Sequence, residues 1–215
     1  MAAFYPVDGS KASAPNGEQA TVAAVEALAM LVDRRDAGTS LHSGRVAALA
    51  HATALELNCD GRFAEDVYLA GRLHDIGKVA VPDSILRKRT ALTEEEWKLI
   101  RLHPSIGADV VSHISGLARL VPIIRGHHER YDGSGYPDGL RGEAIPLGAR
   151  IVAVADAFDA MISDRAYRQP MTVEEARHRL RECAGTQFDA AAVAALDRHL
   201  DVEMALVSNA PSSLA

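Results

Sequence analysis

Residues 147–163 read LGARIVAVADAFDAMIS, and no other stretch constrains the fold as strongly. It is apolar nearly all round at helical spacing, so it belongs inside a protein. Yet it carries two carboxylates, Asp156 and Asp159. A carboxylate among alanines, valines and a phenylalanine is costly to bury unless it is paired or bound to metal. Two readings of Asp156 therefore stand: a core acid satisfied by a hydrogen bond or ion pair, or a metal ligand. Asp159, three residues on, shares much of that face and reads as a helper or a surface acid. The fragment IVAVA alone also fits a buried strand.

The rest of the chain favours the helix. Residues 18–35 place Val22, Val25, Leu28 and Val32 on one stripe. A second helix is predicted from the cap Thr39 through Val46, Leu49, Thr53 and Leu57. A third covers about Ala64 to Asp75 and stops at Ile76-Gly77, where glycine suits a C-terminal cap. Thr93 with Glu96, and Thr172 with Glu175, form capping boxes. Another helix runs from about Leu117 to His128, and the last begins near Asp189. Residues 129–147 hold too many glycines and prolines for regular structure. Aromatics make up only 5% of the chain, alanine and leucine are abundant, and no segment alternates as a hairpin does. An all-α domain over residues 18–200 is expected, between a flexible leader, 1–17, and a tail, 201–215.

Several function classes fall away. A net charge of −6 argues against a broad basic face for a nucleic-acid polymer. Cys59 and Cys183 are far apart, which removes a disulfide framework or thiolate zinc site and leaves two buried thiols. No apolar run is long enough to span a bilayer, and the start lacks the pattern of a secretory signal, so a cytoplasmic location is expected.

The chemistry-bearing residues lie at or near predicted helix ends. His42 is in the first turn of the second helix; His74 and Asp75 close the third; His103 closes the helix capped by Thr93; His127 and His128 close the helix over residues 117–128. Adjacent side chains on a helix diverge by about 100°. Neither adjacent pair can chelate as an i, i+4 pair would. Each can straddle two neighbouring ions, or serve one ion from two sides near a helix terminus. With Asp156 this makes five histidines and two aspartates, a nitrogen and oxygen set suited to iron, manganese, zinc or nickel. Metals about 3.5–4 Å apart, bridged by an aspartate, form a two-metal hydrolytic site. Lys78 either reaches a phosphate oxygen or is a solvated lysine; Arg165 and Arg168 either clamp phosphate or form a solvated face. His51, His113, His178 and His199 read as surface or cap residues.

At these residues the chain resembles the HD-GYP domains of bacterial cyclic di-GMP signalling, a branch of the HD phosphohydrolases. The HD dyad is His74-Asp75 in GRLHDIGKVAVPDSIL, and the GYP motif is Gly135-Tyr136-Pro137 in HHERYDGSGYPDGL. RRDAGTSLHSGRV, KLIRLHPSIGADVV, ARIVAVADAFDAMISDRAYR and AGTQFD accompany them, so the resemblance covers about residues 33–190.

The resemblance implies an HD-domain bundle of about seven to nine helices with a metal centre in its core. It implies a metal-dependent phosphodiesterase that converts cyclic di-GMP to pGpG, with GMP as a further product. The alternative it carries is a catalytically weak receptor or interaction module. His42, His74, Asp75 and Asp156 would hold one metal, and Asp75 would bridge to a second held by His103, His127 and His128. The resemblance suggests iron, with manganese next. Tyr136, Arg165, Arg168 and, more remotely, Asp36 would contact the dinucleotide, with Lys78 near the scissile phosphate. Diguanylate cyclase (GGDEF) domains are implied partners, and a homodimer is an open assembly. One departure stands out. Four residues before His42, where members with a third metal carry glutamate, this chain has Gly38, which cannot ligate.

Overall fold

The computed structural model describes residues 17–35, 41–164 and 169–208. Among them the chain forms nine helices and a single helical turn, with no strand beyond one isolated bridge between Ala184 and Phe188. The helices are α1 (Gly17–Arg35), α2 (His42–Glu56), α3 (Gly61–Leu73), the one-turn α4 (Asp83–Leu86), α5 (Glu94–Ile100), α6 (His103–Ser112), α7 (Val121–Gly126), α8 (Leu147–Ile162), α9 (Val173–Glu182) and α10 (Ala190–Ser208).

The apolar stretch IVAVA is helical and central. Within α8, Ile151, Val152, Val154, Ala155 and Phe158 are buried, because α2, α3, α7, α9 and α10 all pack on it. Packing from every direction is what an all-round apolar helix requires. The stripe of α1 buries Val25 and Val32, that of α2 buries Val46 and Thr53, and Leu28 and Leu49 pack against the core from its edge. The side chain of Val22 and the proposed cap Thr39 lie outside the described residues.

Both capping boxes form: Thr93 with Glu96 opens α5, and Thr172 with Glu175 opens α9. Asp60 caps α3, accepting the Phe63 N–H at 3.0 Å. The glycine-rich stretch after α7 is irregular except for a short 3-10 turn at Gly142–Ala144. Cys59 and Cys183 are unpaired and only partly buried, where two buried thiols were expected.

Three boundaries differ from expectation, each for a local reason. The third helix ends at Leu73, and the chain enters a 3-10 turn, Ile76–Ala80, that contains Gly77. Gly77 is not a left-handed cap. A Cβ there would meet the His103 carbonyl oxygen at 2.0 Å and the Gly107 nitrogen at 2.6 Å. Glycine is needed because this turn touches the backbone of α6. His103 opens α6 rather than closing α5, since the chain turns at Arg101–Leu102 and restarts with Pro104 in the first helical turn. The helix expected over residues 117–128 is a 3-10 turn, Ala118–Leu120, followed by the short α7.

Candidate metal centre

Three histidines, His74, His103 and His127, are each 1% exposed. His74 lies just past α3, His103 opens α6, and His127 lies just past α7. In each, Nδ1 lies within hydrogen-bond range of the carbonyl three residues back: Gly71 at 2.8 Å, Ile100 at 2.7 Å and Ile124 at 2.7 Å. A carbonyl only accepts, so each Nδ1 carries hydrogen and donates. In the neutral ring Nε2 is then a bare lone pair.

Those lone pairs meet. His103 Nε2 lies 3.3 Å from His127 Nε2, and two lone pairs cannot hydrogen-bond to one another. His74 Nε2 is buried without a hydrogen-bond partner. Its neighbours are carboxylate oxygens, Asp75 Oδ2 at 3.3 Å and Asp156 Oδ1 at 4.0 Å. A cation placed among these atoms would satisfy all of them. Two clusters offer ligand atoms within 4.8 Å of one another: His42, His74 and Asp75, and His103, His127 and His128. Asp156 joins the first, its Oδ1 3.3 Å from His42 Nε2. Asp75 faces both, with Oδ2 toward His74 and Oδ1 3.3 Å from His103 Nε2. The set fits a pair of divalent cations sharing one carboxylate.

The adjacency puzzle of His127-His128 resolves by position. Both follow the end of α7, where the chain is turning, and their ring centres come within 4.1 Å. Their ring nitrogens, with one of His103, lie within 4.8 Å of one another.

Charge separates the two clusters. Burial works against protonating His42, yet its hydrogen bonds to Asp156 and Asp159 push it up to about 10. Burial likewise opposes a charged His74, but the Asp75 and Asp156 carboxylates overcome it and raise the pKa. Across Asp75 the direction reverses. Burial lowers His103, lowers His127 well below the usual range with help from neighbouring imidazoles, and takes His128 down to about 4. Asp75 and Asp156 stay ionised against burial, Asp75 through His74 and Lys78, Asp156 through His42 and His74.

A surrounding layer holds these groups in place. Asp159, fully buried, takes up His42 Nδ1 at 2.7 Å and accepts from Arg45, which also donates to Ser163 at 2.8 Å. The helper reading of Asp159 is the one the geometry supports, and Asp156 is the more exposed of the two acids. Glu129, 4% exposed, accepts the backbone N–H groups of Asp138, Gly139 and Leu140, which pins the loop after Pro137. Gly135 lies against that turn, since a Cβ would meet the Arg130 nitrogen at 2.3 Å. The Tyr131 and Asp132 N–H groups donate to the carbonyls of Gln187 and Thr186, so the AGTQFD turn braces the loop from behind.

Tyr136 stands over the centre, its ring centre 5.0 Å from that of His128. Burial pushes its hydroxyl up to about 12, so it stays a neutral donor. Lys78 is not a solvated lysine: its Nζ donates to Asp75 Oδ2 at 2.7 Å. Asp36, Gly38, Arg165 and Arg168 lie outside the described residues. Sequence reasoning missed Arg45, Glu129 and Arg101. Glu129, directly after the histidine pair, was the most legible of these; Arg45 and Arg101 looked like any surface arginine.

The comparisons with known proteins agree with this geometry. Residues 26–192 match the model of the HD domain family. The cyclic di-GMP phosphodiesterase response regulator RpfG of Xanthomonas campestris is 45% identical over 173 residues, covering 80% of this chain and 46% of that protein. The 3'3'-cGAMP-specific phosphodiesterase 2 of Vibrio cholerae is 36% identical over 188 residues, covering 86% of this chain and 36% of that protein. The crystal structure of a cyclic GMP-AMP-specific phosphodiesterase of V. cholerae superimposes with a TM-score of 0.67 at 19% identity, over 88% of this chain and 50% of that one, a likeness of fold. The chain thus spans less than half the length of these two curated relatives. Matched over most of its length, and with the HD dyad and the GYP loop meeting at one centre, the chain belongs to the HD domain family, in its HD-GYP branch.

Proposed function

We propose that this chain is a metal-dependent phosphodiesterase that opens cyclic di-GMP to linear pGpG, with GMP as the onward product. One observation carries the reading: imidazole Nε2 atoms and carboxylate oxygens converge on two neighbouring points that share Asp75. His42, His74, Asp75 and Asp156 would hold one divalent cation, and Asp75, His103, His127 and His128 the other. Such a pair supplies Lewis-acid polarisation of the phosphodiester and a water acidic enough to attack near neutral pH. Iron is the first expectation for its identity and manganese the second, from the resemblance to HD-GYP domains; the nitrogen and oxygen donor set itself suits zinc and nickel as well.

The protein's own groups do the rest. Lys78, held 2.7 Å from Asp75, places a positive charge beside the reacting phosphoryl oxygens, where charge grows in the transition state. Tyr136 stays protonated and can donate to the ligand. Buried Glu129 fixes the loop that carries Tyr136, so this donor is positioned beforehand. Arg165, Arg168 and Asp36 are proposed as further dinucleotide contacts. A cytoplasmic location, an HD-GYP unit over residues 18–200, and homodimer or diguanylate cyclase contacts complete the proposal; no described helix is long and apolar enough to cross a membrane.

The test is metal analysis of anaerobically purified protein, followed by a cyclic di-GMP turnover assay with iron or manganese. Two metals per chain and pGpG release that Asp75→Asn abolishes are expected. Protein that binds cyclic di-GMP but does not turn it over with either metal would instead be a receptor.

A further inference from the structure

The proposed mechanism leaves one cation at the mouth of the centre without a task. Arg101 directly follows the last residue of α5, two residues before His103. Its backbone N–H donates to the Trp97 carbonyl at 2.9 Å, one helical turn back. Its guanidinium carbon lies 6.0 Å from the Trp97 ring centre and 5.8 Å from that of Tyr136. The Tyr136 ring centre in turn lies 5.0 Å from that of His128. His128, Tyr136, Arg101 and Trp97 thus form a continuous row that starts at the histidine cluster and ends on an indole 41% exposed.

Other cations near the centre are engaged by carboxylates: Lys78 by Asp75, Arg45 by Asp159, Arg130 by Asp132. Arg101 has no carboxylate partner among the described residues. Its contacts with aromatic rings use none of its five N–H donors. An exposed guanidinium braced by two aromatic rings, with its donors unspent, is suited to a planar ligand that presents paired acceptors.

A cyclic dinucleotide brings such a group. With its phosphodiester at the metals, the attached nucleoside extends outward along the row. Guanine presents O6 and N7 together on one edge, and arginine can donate to both. Adenine presents N7 beside an amino group, which is itself a donor and opposes the guanidinium. The faces of Trp97 and Arg101 also offer a stacking surface for the base. The geometry points to Arg101, braced by Trp97 and Tyr136, as the residue that reads a guanine edge and makes this site prefer guanine over adenine. This rests on the cyclic dinucleotide phosphodiesterase reading.

The experiment compares kcat/KM for cyclic di-GMP, 3'3'-cGAMP and cyclic di-AMP in the metal-loaded wild type, Arg101→Gln and Arg101→Lys. Binding is followed in parallel by the emission of Trp97, the only tryptophan in the chain. Arg101→Gln is expected to cut the guanine-over-adenine preference about tenfold, mainly through KM. Its metal content and Tm should match wild type, and Arg101→Lys should recover part of the preference. Cyclic di-GMP should change Trp97 emission in the wild type. An equal loss on all three substrates, as a phosphate grip would give, overturns the inference. So does an unchanged preference, a loss of metal in Arg101→Gln, or turnover without a change in Trp97 emission. The wild-type measurements judge the underlying reading separately. If wild type turns over no cyclic dinucleotide, that reading fails and this inference falls with it.

Discussion

His42 and His74 lie on one side of Asp75; His103, His127 and His128 lie on the other. Both groups are imidazoles in the same core, yet they differ in the charge they favour. The first side contains Asp156 and rests on buried Asp159, and its histidines hold protons more tightly than usual. The second feels only Asp75 and Asp156, which do not overcome burial, and its histidines are neutral through the physiological range. Burial is common to both, so the strength of the carboxylate attraction decides the sign. Before metal arrives, the first side meets its demand for positive charge with protons. The second side presents lone pairs with nothing to receive them.

The largest effect should come from the group the two sides share. Asp75→Asn is expected to remove metal from both and to lower phosphodiester turnover by on the order of a thousandfold. A variant that kept two metals per chain by elemental analysis would break the comparison at its centre. Next come variants confined to one side. His127→Ala and His42→Ala should each reduce the stoichiometry from two metals to one, and should differ in which metal remains when loading is done at limiting pH.

That pH dependence sharpens the contrast. With its pKa at about 10, His42 must release a proton when metal binds, and the raised pKa of His74 acts in the same direction, so affinity on that side should rise with pH through neutrality. His128, at about 4, is already deprotonated, and affinity on its side should be flat above pH ~6. Calorimetry in buffers of different ionisation enthalpy reads the proton release directly. The metal-free chain should itself lose stability in acid. His128 takes up a proton in the unfolded state near pH 6.5 but in the folded state only near 4, so Tm should fall as pH drops across that window. The raised pKa of His42 contributes stability below pH 6.5 that is lost as pH climbs toward 10.

The smallest effect concerns support. Asp159→Asn removes a charge behind His42 while keeping its shape, and should weaken metal binding on that side alone by about tenfold. Equal weakening on both sides would show Asp159 to be general scaffolding.

Much of this was legible in the chain. The ligand candidates could be named because imidazoles and carboxylates at helix ends and inside an apolar helix lack an ordinary packing reason. The capping boxes at Thr93 and Thr172 were equally readable, being local. What could not be read depends on contacts distant in sequence. Nothing near Arg45 shows that Asp159, 114 residues away, will be its partner. Arg101 looks solvated until α5 and the Tyr136 loop are brought together. Gly77 follows the usual pattern of a helix stop, and only the arrival of α6 gives it another purpose.

The contact at Gly77 has a consequence for redesign. Because that turn rests directly on the His103 carbonyl, two main chains set how far the HD dyad stands from the next imidazole, with no side chain between them to trim or lengthen. Widening the centre for a larger ion would therefore begin at position 77, by forcing those main chains apart, before any of the seven proposed ligands was changed.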